Sequence, residues 1–196
     1  MDLRLEGKVA LVTGGSRGIG RGIAAAFADA GAKVMIASRS AEGCEEASMA
    51  IGTNCQWLAS NVGYSDQAEA LVDHTLEVFG AIDILVNNAG ANPYAGPTID
   101  IDLARWDKTI QVNMTAPLIL TQLAWHGYMK DGPGDSSVIN ISSVGGLSTN
   151  PLLGAYGVAK AGVIHLTEQL AAELGPKARV NCIAPGLIKT DFARIL

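Results

Sequence analysis

A tyrosine and a lysine four residues apart point most directly to chemistry in this chain of 196 residues. They are Tyr156 and Lys160, in the run Tyr-Gly-Val-Ala-Lys. Residues i and i+4 of a helix lie on the same face, so the lysine ammonium would stand beside the tyrosine phenol. A neighbouring positive charge favours the phenolate and is expected to lower the tyrosine pKa from its ordinary value of about 10. The pair therefore predicts a proton donor and acceptor that works near neutral pH.

A glycine-rich segment near the N-terminus has the composition of a phosphate-binding turn. The run Thr-Gly-Gly-Ser-Arg-Gly-Ile-Gly covers residues 13–20, between an apolar strand pattern and a helical pattern. Glycines there permit a tight turn and let the main chain approach a pyrophosphate. The N-terminus of the following helix would present free N–H groups to the phosphates. In this strand–turn–helix position the segment predicts dinucleotide binding.

The elements that must position these residues are visible as an alternation of short apolar runs and longer helical patterns. Strands are predicted near residues 8–13, 33–38, 56–60, 82–86, 137–141 and 179–183. Helical patterns run through residue 30, from about residue 41, and across residues 65–79, 102–129 and 154–174. Strands that are apolar throughout indicate burial on both faces. The alternation predicts an α/β fold with a doubly wound parallel sheet, in one domain covering residues 1–196.

Local signals mark several helix boundaries. Ser65 and Asp66 are predicted to cap the start of one helix, because their side-chain oxygens can accept from free helical N–H groups. Pro117 is predicted to bend or break the long helical stretch, since proline lacks the N–H that a helix interior requires. Gly175 and Pro176 are predicted to end the helix that carries the tyrosine and lysine.

Composition and charge argue against several classes of protein. The net charge is −5 and no long basic run is present, which argues against nucleic-acid binding. No apolar stretch approaches the ~18 residues needed to span a bilayer, and the N-terminus lacks the apolar core of a signal peptide. The cysteines at positions 44, 55 and 182 have no paired spacing, which predicts reduced thiols and a cytoplasmic location. The histidines at positions 74, 126 and 165 lack metal-ligand spacing, so no metal is predicted.

Together, the glycine spacing Gly-x-x-x-Gly-x-Gly and the Tyr-x-x-x-Lys pair resemble the short-chain dehydrogenase/reductase family. Further family motifs follow in order: Asn-Asn-Ala-Gly at 87–90, Gln-Val-Asn at 111–113, Ile-Ser-Ser at 141–143, and Pro-Gly at 185–186 with Thr190 after it. The resemblance covers essentially the whole chain and implies a Rossmann-type sheet with helices on both faces. Family members continue with a further helix and a seventh strand, so this C-terminal part is expected to be absent from the chain.

The resemblance implies four catalytic residues, Ser143, Tyr156, Lys160 and Asn113. Ser143 would hydrogen-bond the substrate carbonyl oxygen, and Tyr156 would give that oxygen a proton or remove it. Lys160 would lower the tyrosine pKa and bond the nicotinamide ribose, while Asn113 would hold a water that relays protons from Lys160. Ser143 is preferred to Ser142 because its spacing to the tyrosine matches the family, and the two side chains would point to opposite sides of a strand.

The cofactor is expected to be NADPH or NADP+ rather than NADH. The second strand ends Ala-Ser-Arg at 37–39, with no acidic side chain for the ribose hydroxyls of NAD. Arg17 and Arg39 suit a 2′-phosphate, although both could instead be solvated surface arginines. Asn61-Val62 stands where the family usually has Asp-Val beside the adenine. The resemblance assigns cofactor binding to Gly14, Ser16, Arg17, Gly18, Ile19, Gly20, Ser38, Arg39, Asn61, Val62, Asn88, Ala89, Gly90, Tyr156, Lys160, Pro185, Gly186, Ile188 and Thr190.

The substrate is expected to be a small carbonyl compound or alcohol of apolar or amphipathic character. The loop after the fifth strand is apolar at Leu147, Pro151, Leu152 and Leu153. The runs at 91–94 and 185–190 resemble the carbonyl- and retinal-reducing members of the family, which are homodimers or homotetramers.

Two alternatives remain open at this point. One is a 3-oxoacyl-[acyl-carrier-protein] reductase, although Lys130 is followed by Asp131 and Asp135 rather than by a basic patch suited to an acidic carrier. The other is a protein that binds NADPH without turnover, because the C-terminal segment is missing. The intact Ser143, Tyr156 and Lys160 set favours the enzyme.

Overall fold

A six-stranded parallel sheet, in the order β3-β2-β1-β4-β5-β6, is the centre of the fold. The computed structural model describes residues 4–189. The strands are β1 Val9–Thr13, β2 Lys33–Ser38, β3 Cys55–Ala59, β4 Ile84–Asn87, β5 Ser136–Ile141 and β6 Ala178–Ile183. The chain builds outward from β1 to β3 and then returns to place β4 on the other side of β1. The predicted doubly wound sheet is confirmed, and β1 and β4 flank its switch point, where such sheets bind ligands.

Helices cover both faces of the sheet, as predicted. They are α1 Gly18–Asp29, α2 Ala41–Ile51, α3 Ser65–Phe79, α4 Leu103–Ile110, α5 Ala116–Ala124 and α6 Gly154–Leu174. Successive residues of a strand point to opposite faces. Leu11 of β1 therefore packs with residues of α3, α5 and α6, whereas Ala10 and Val12 pack with residues of α1 and α2.

The expectation that strands are buried on both faces holds for the central strands and does not hold for the edge strands. β1 and β4 are buried along their whole length, whereas β3 and β6 each expose several residues. The reason is position, since β3 and β6 are the outermost strands among the described residues. Lys8, predicted as the first residue of β1, lies just before it and pairs with Asp83 and Asp135 instead.

The long helical stretch is present but contains two π-helical turns, Gln111–Thr115 and Trp125–Met129. The bend or break predicted at Pro117 takes the form of a π turn directly before the proline, which lies buried in the first turn of α5. A widened turn just before the proline accommodates its missing N–H and its ring. That same π turn carries Asn113.

Helix boundaries agree with the sequence at α6 and differ at α3. The helix α6 ends at Leu174 with Gly175 as its C-cap, as predicted. The predicted caps of α3 are wrong: Ser65 is already helical, and Tyr64 occupies the cap position without a side-chain hydrogen bond. In α4, by contrast, Asp102 caps the helix by accepting from Arg105 N at 2.9 Å.

A buried carboxylate ties the amino edge of the sheet together. Asp83 accepts a hydrogen bond from Val9 N at 2.8 Å, and Lys8 Nζ lies 3.8 Å from its other oxygen. The Tyr128 hydroxyl also bonds to Asp83, and burial raises the pKa of that phenol. This cluster lies at the opposite edge of the sheet from the predicted site. No helix within residues 4–189 combines the length and apolar character needed to cross a bilayer.

Candidate active site

The carboxyl ends of the six strands bring most of the predicted site residues to one edge of the sheet. The glycine turn follows β1, Ser38 ends β2, Asn61 follows β3 and Asn88 follows β4. Ser143 follows β5, and the run 185–188 follows β6. Tyr156 and Lys160 reach this edge from α6, and Asn113 reaches it from the π turn. Thr190 lies outside the described residues.

Glycines shape the turn after β1. Gly14 and Gly18 have positive φ values of 66° and 57°, a region that side chains with a Cβ rarely adopt. Gly20 has no room for a side chain, because a Cβ there would lie 2.3 Å from Gly14 O and 2.4 Å from Asn88 Nδ2. The turn therefore packs tightly against α1 and the end of β4. Because its glycines carry no Cβ, a phosphate can approach its main chain closely.

The N-terminus of α1 has the properties of an anion site. Arg17 is at the cap position and makes no side-chain cap, and the first turn contains no acidic residue. The first N–H groups of the helix are thus left without a capping side chain, and they add to the positive end of the helix dipole. A pyrophosphate fits this arrangement. Arg17 and Arg39 are both exposed, and neither makes a salt bridge within residues 4–189.

A single hydroxyl locks the glycine turn to the end of β4. Thr13 Oγ1 accepts hydrogen bonds from the N–H groups of Asn88 and Ala89, both at 3.1 Å, and donates to Val86 O at 3.2 Å. The Asn88 side chain returns the contact by donating to Thr13 O at 2.8 Å and to Gly14 O at 3.2 Å. Thr13 was not among the site residues predicted from the sequence. The available signal was a hydroxyl residue that closes an apolar strand just before a glycine turn.

The predicted adenosine side of the site is built from short polar contacts. Asn61 Oδ1 accepts from Gly63 N at 3.2 Å and so closes its own turn. Val62 is buried in the core against the sheet, which leaves its main chain as the part able to meet a ligand. Ser38 Oγ lies 3.1 Å from the sulfur of Cys44.

Asn113 is completely buried and uses its side chain to join two segments. Its Nδ2 donates to Ala91 O at 2.6 Å and to Thr109 O at 2.8 Å, and its Oδ1 accepts from Ala91 N at 3.2 Å. Both amide N–H groups are therefore occupied. A water at Asn113 would have to bond to Oδ1 or to its main-chain carbonyl.

The two adjacent serines point in opposite directions, as predicted. Ser143 Oγ accepts from Gly145 N at 3.1 Å and hydrogen-bonds to the Tyr156 phenol. Ser142 is buried, and its hydroxyl donates to Lys160 O at 2.8 Å. No role for Ser142 was predicted, because nothing in the sequence reveals its partner on a distant helix.

Tyr156 and Lys160 share one face of α6. Lys160 Nζ lies 5.6 Å from the centroid of the Tyr156 ring and donates to Ile141 O at 2.7 Å. Burial lowers the pKa of Lys160 to about 8. The side chain of this lysine is therefore an ammonium at neutral pH that is closer to losing its proton than an exposed lysine would be.

The predicted lowering of the tyrosine pKa is wrong. Burial raises the pKa of the Tyr156 phenol, and the hydrogen bond from Ser143 acts in the lowering direction without overcoming burial. The Lys160 ammonium donates to the neutral Ile141 carbonyl and does not offset the effect of burial on the phenol. The phenol of Tyr156 is consequently protonated at neutral pH.

The segment after β6 runs beside the serines. Ser142 N donates to Ile183 O at 2.7 Å, and Val144 N donates to Pro185 O at 3.0 Å. The pairing of β5 with β6 therefore continues past the strand ends and brings Pro185 next to Ser143. Gly186 and Ile188 follow and are exposed.

The comparisons with known proteins decide the family. A family model described as "short chain dehydrogenase" matches residues 8–196. The chain belongs to the short-chain dehydrogenase/reductase family. It is therefore an oxidoreductase of a family that uses nicotinamide cofactors.

Curated and solved relatives agree with this assignment. Human "Dehydrogenase/reductase SDR family member 4" is 40% identical over 196 residues, which cover 98% of this chain and 70% of the relative. Human mitochondrial SDR family member 2 is 40% identical, with 97% and 69% covered. The crystal structure of levodione reductase has a TM-score of 0.92 at 34% identity, with 97% and 75% covered. A protein described as a short-chain alcohol dehydrogenase from Sinorhizobium meliloti 1021 has a TM-score of 0.91 at 35% identity, with 97% and 76% covered.

Exposed apolar side chains occur in the two segments that run beside Ser143. They come from the loop after β5 and from the segment after β6, namely Val144, Leu147, Leu152, Leu187 and Ile188. The loop after β4 joins this surface, because Gly96 N donates to Leu152 O at 3.1 Å. Leu153, predicted as part of the apolar loop surface, is buried. No group of three or more His, Cys, Asp or Glu side chains in the described part of the chain is placed to hold a metal ion.

Proposed function

We propose that this protein reduces small apolar or amphipathic carbonyl compounds with NADPH, and oxidises the corresponding secondary alcohols with NADP+. Ser143, Tyr156, Lys160 and Asn113 form the catalytic set. The observation that carries the proposal is the contact between the Ser143 hydroxyl and the Tyr156 phenol, with the Lys160 ammonium 5.6 Å from the phenol ring. This arrangement offers two hydrogen-bond donors to one substrate oxygen and a positive charge beside them.

The hydroxyls of Ser143 and Tyr156 bind the carbonyl oxygen and polarise it. The nicotinamide, when bound, supplies the hydride to the carbonyl carbon. Tyr156 donates its phenolic proton as negative charge develops on the oxygen. Because burial raises the pKa of Tyr156, the phenol holds this proton at neutral pH, which suits the reductive direction.

Lys160 stabilises the phenolate that remains after the proton has left. Its ammonium is buried, lies on the same helix face as the phenol, and is held by Ile141 O at 2.7 Å. A positive charge in a poorly hydrated site interacts strongly with a neighbouring anion. Asn113 contributes a relay position for water through Oδ1 or its main-chain carbonyl, since both of its amide N–H groups are already bonded.

The cofactor site takes the pyrophosphate on the glycine turn and the uncapped N-terminus of α1. The residues in this role are Gly14, Ser16, Gly18, Ile19 and Gly20. NADPH is preferred because Arg17 and Arg39 are exposed and free of salt bridges within residues 4–189, and guanidinium groups bind a 2′-phosphate in a bidentate manner. The remaining contacts come from Ser38, Arg39, Asn61, Val62, Asn88, Ala89, Gly90, Pro185, Gly186, Ile188 and Thr190.

The apolar surface around Ser143 supports an apolar or amphipathic substrate. Leu147 is 68% exposed and Leu187 is 77% exposed, so each offers area to a ligand. One of the structural relatives is named a reductase, in line with a carbonyl substrate. The acyl-carrier-protein alternative requires basic side chains that are available to an acidic carrier. It is less well supported, because Lys177 Nζ donates to Lys130 O at 2.7 Å at the end of a helix.

A homodimer or homotetramer in the cytoplasm completes the proposal. A groove of about 210 Å³ between α5 and α6 is lined by Leu118, Thr121, Gln122, Trp125, His126, Leu170, Glu173 and Leu174. A second copy that places its own α5 and α6 there would form a closed two-fold interface. The three cysteines are free thiols, as in proteins of a reducing compartment.

NADPH oxidation with a panel of ketones, aldehydes and 3-oxoacyl thioesters tests the function. The Tyr156→Phe variant should lose kcat by about 10²-fold or more, the range that general acid catalysis contributes, and should still bind NADPH by fluorescence titration. Tyr128→Phe, which removes a phenol at the opposite edge of the sheet, is the control and should keep wild-type kcat.

Three results would reject parts of the proposal. If wild-type protein binds NADPH and reduces nothing in the panel, the protein is a cofactor-binding protein without turnover. If Tyr156→Phe retains full activity, the assignment of the proton donor is wrong. Activity confined to carrier-bound thioesters would establish the acyl-carrier alternative.

A further inference from the structure

Two hydrogen bonds cross between the end of β5 and α6 in opposite directions, and both involve Lys160. The Ser142 hydroxyl donates to Lys160 O at 2.8 Å, and Lys160 Nζ donates to Ile141 O at 2.7 Å. Ser142 is 3% exposed and Lys160 is 4% exposed. Each segment thus uses one side chain to bond the main chain of the other, in a place that water does not reach.

The main chains around this pair are in direct contact. A Cβ on Gly146 would lie 2.7 Å from Lys160 C, and a Cβ on Gly157 would lie 2.8 Å from Gly145 O. The turn Val144–Gly146 therefore lies flat against α6 without an intervening side chain. On the other side, Ser142 N donates to Ile183 O at 2.7 Å. Ser142 is fixed both to the segment after β6 and to α6.

We propose that Ser142 is a positioning residue for the reaction, which fixes the placement of α6 along β5 so that Tyr156 meets Ser143. This inference rests on the proposed function of Ser143, Tyr156 and Lys160. Tyr156 lies one helical turn before Lys160, and Ser143 is the residue after Ser142. The Ser142 hydroxyl therefore connects the two segments next to Ser143 and one helical turn from the proposed proton donor.

The geometry gives this contact little tolerance. A shift of α6 by one residue along its axis moves every side chain by about 1.5 Å, whereas the donor–acceptor distances of protein hydrogen bonds span only about 2.7–3.2 Å. A shift of α6 by one residue would therefore carry the Tyr156 phenol out of hydrogen-bond range of the Ser143 hydroxyl. The same displacement would draw Lys160 Nζ away from Ile141 O and let water reach the ammonium.

The test compares Ser142→Ala and Ser142→Thr with a matched control, Ser48→Ala. Ser48 is also buried, at 8% exposure, and its hydroxyl also donates to a main-chain carbonyl, Cys55 O, at 2.7 Å. It joins α2 to the start of β3, away from the proposed catalytic residues. Loss of the Ser48 bond therefore reports what any buried serine contributes to stability.

Ser142→Ala should lower kcat by about 10-fold or more, the size of effect that small misplacements of catalytic groups produce, with a smaller change in the KM for NADPH. The alkaline limb of the pH–rate profile should move upward by roughly 0.5 unit or more, because hydration of Lys160 returns its titration toward that of an exposed lysine. Ser142→Thr keeps the hydroxyl and should restore both values. Ser48→Ala should lose comparable stability with unchanged kcat and pH profile.

A readout independent of turnover separates this inference from the proposed function. Hydrogen exchange of the peptide covering residues 154–164 should rise in Ser142→Ala and remain at the wild-type level in Ser48→Ala. The positioning role would be overturned if hydrogen exchange is unchanged in Ser142→Ala. It would also be overturned if Ser142→Ala loses no more activity than Ser48→Ala and its pH profile does not shift. If exchange rises in Ser142→Ala but the wild-type protein reduces no substrate, the enzymatic proposal is rejected. The structural link between Ser142 and α6 is then retained.

Discussion

The side chain of Asn113 pairs with the main chain of Ala91 in both directions, donating to Ala91 O at 2.6 Å and accepting from Ala91 N at 3.2 Å. A third bond, from Nδ2 to Thr109 O at 2.8 Å, satisfies a carbonyl beside the π turn. Gly90 approaches the same amide so closely that a Cβ there would lie 3.1 Å from Asn113 Oδ1. Asn113 therefore holds the loop after β4 against the long helix.

Removal of this amide should destabilise the protein as well as reduce its activity. Asn113→Ala deletes three hydrogen bonds and leaves buried main-chain groups unpaired, which should lower the free energy of unfolding by about 2–4 kcal/mol. Asn150→Ala removes a single hydrogen bond, which its Oδ1 accepts from Leu152 N at 2.9 Å in an exposed turn, and should cost less than ~1 kcal/mol. Urea denaturation measures both. Equal effects of the two substitutions would contradict the structural role of Asn113.

Lys160 should make the stability of the protein depend on alkaline pH. Its pKa is lowered by burial to about 8 from an ordinary value of 10.5. Between these values the unfolded chain binds the proton that the folded protein has released, so the free energy of unfolding contributed by this group rises with pH. Wild type should therefore gain stability relative to Lys160→Met as the pH increases from about 8 to 10, by up to ~3 kcal/mol on the scale of 1.36 kcal/mol per unit.

Urea denaturation of both proteins at pH 7, 8, 9 and 10 gives this difference directly, since the other titrating groups are common to both. A difference that stays constant across the series would show that Lys160 does not release its proton in this range.

The cofactor preference should depend on the two exposed arginines. Arg17→Ala and Arg39→Ala should each reduce the ratio of kcat/KM for NADPH to that for NADH by about 10-fold, the value of a charge-assisted hydrogen bond of ~1.5 kcal/mol. Arg179→Ala, an exposed arginine on β6, serves as the control for a general change in surface charge. An unchanged ratio in both variants would remove the basis for an NADPH preference.

The close approach of α1 to the glycine turn gives a matched pair of glycine substitutions. A Cβ on Gly20 would lie 2.3 Å from Gly14 O, whereas a Cβ on Gly22 would meet nothing within 4 Å. Gly20→Ala should destabilise the protein by more than ~1 kcal/mol through overpacking and should abolish cofactor binding. Gly22→Ala should stabilise the same helix by roughly 0.5–1 kcal/mol and leave binding unchanged. Thermal unfolding and fluorescence titration of cofactor distinguish the two.

The sequence was sufficient to predict which segments meet at the site. Each predicted segment follows a strand, and parallel strands end at one edge of their sheet, so the position of the glycine turn, Asn88 and Ser143 follows from the alternation of patterns. The shared face of Tyr156 and Lys160 likewise follows from helical spacing alone. The resemblance to the family singled out Asn88 and Ser143, and local periodicity with the topology it implies predicted the edge at which they lie.

What the sequence could not provide are contacts between side chains that are distant along the chain. The bond from Ser142 to Lys160 O joins residues 18 positions apart, and that from Asn88 to Thr13 O joins residues 75 positions apart. The error in the Tyr156 pKa has the same origin, because burial is set by everything packed around the phenol. A charge four residues away was visible in the sequence, and the desolvation that outweighs it was not.

The π turn at Gln111–Thr115 has a consequence for the length of this helix. A π turn accommodates one residue more than an α turn, and each residue of an α-helix advances the chain by about 100° around its axis. Deleting one residue from this turn would restore an α turn that makes nearly the same total rotation with one residue fewer, so Leu120 and Ala124, now completely buried or nearly so, would stay in the core. The extra residue is therefore not needed to pack α5 against the sheet; it sets the path of the main chain around Asn113.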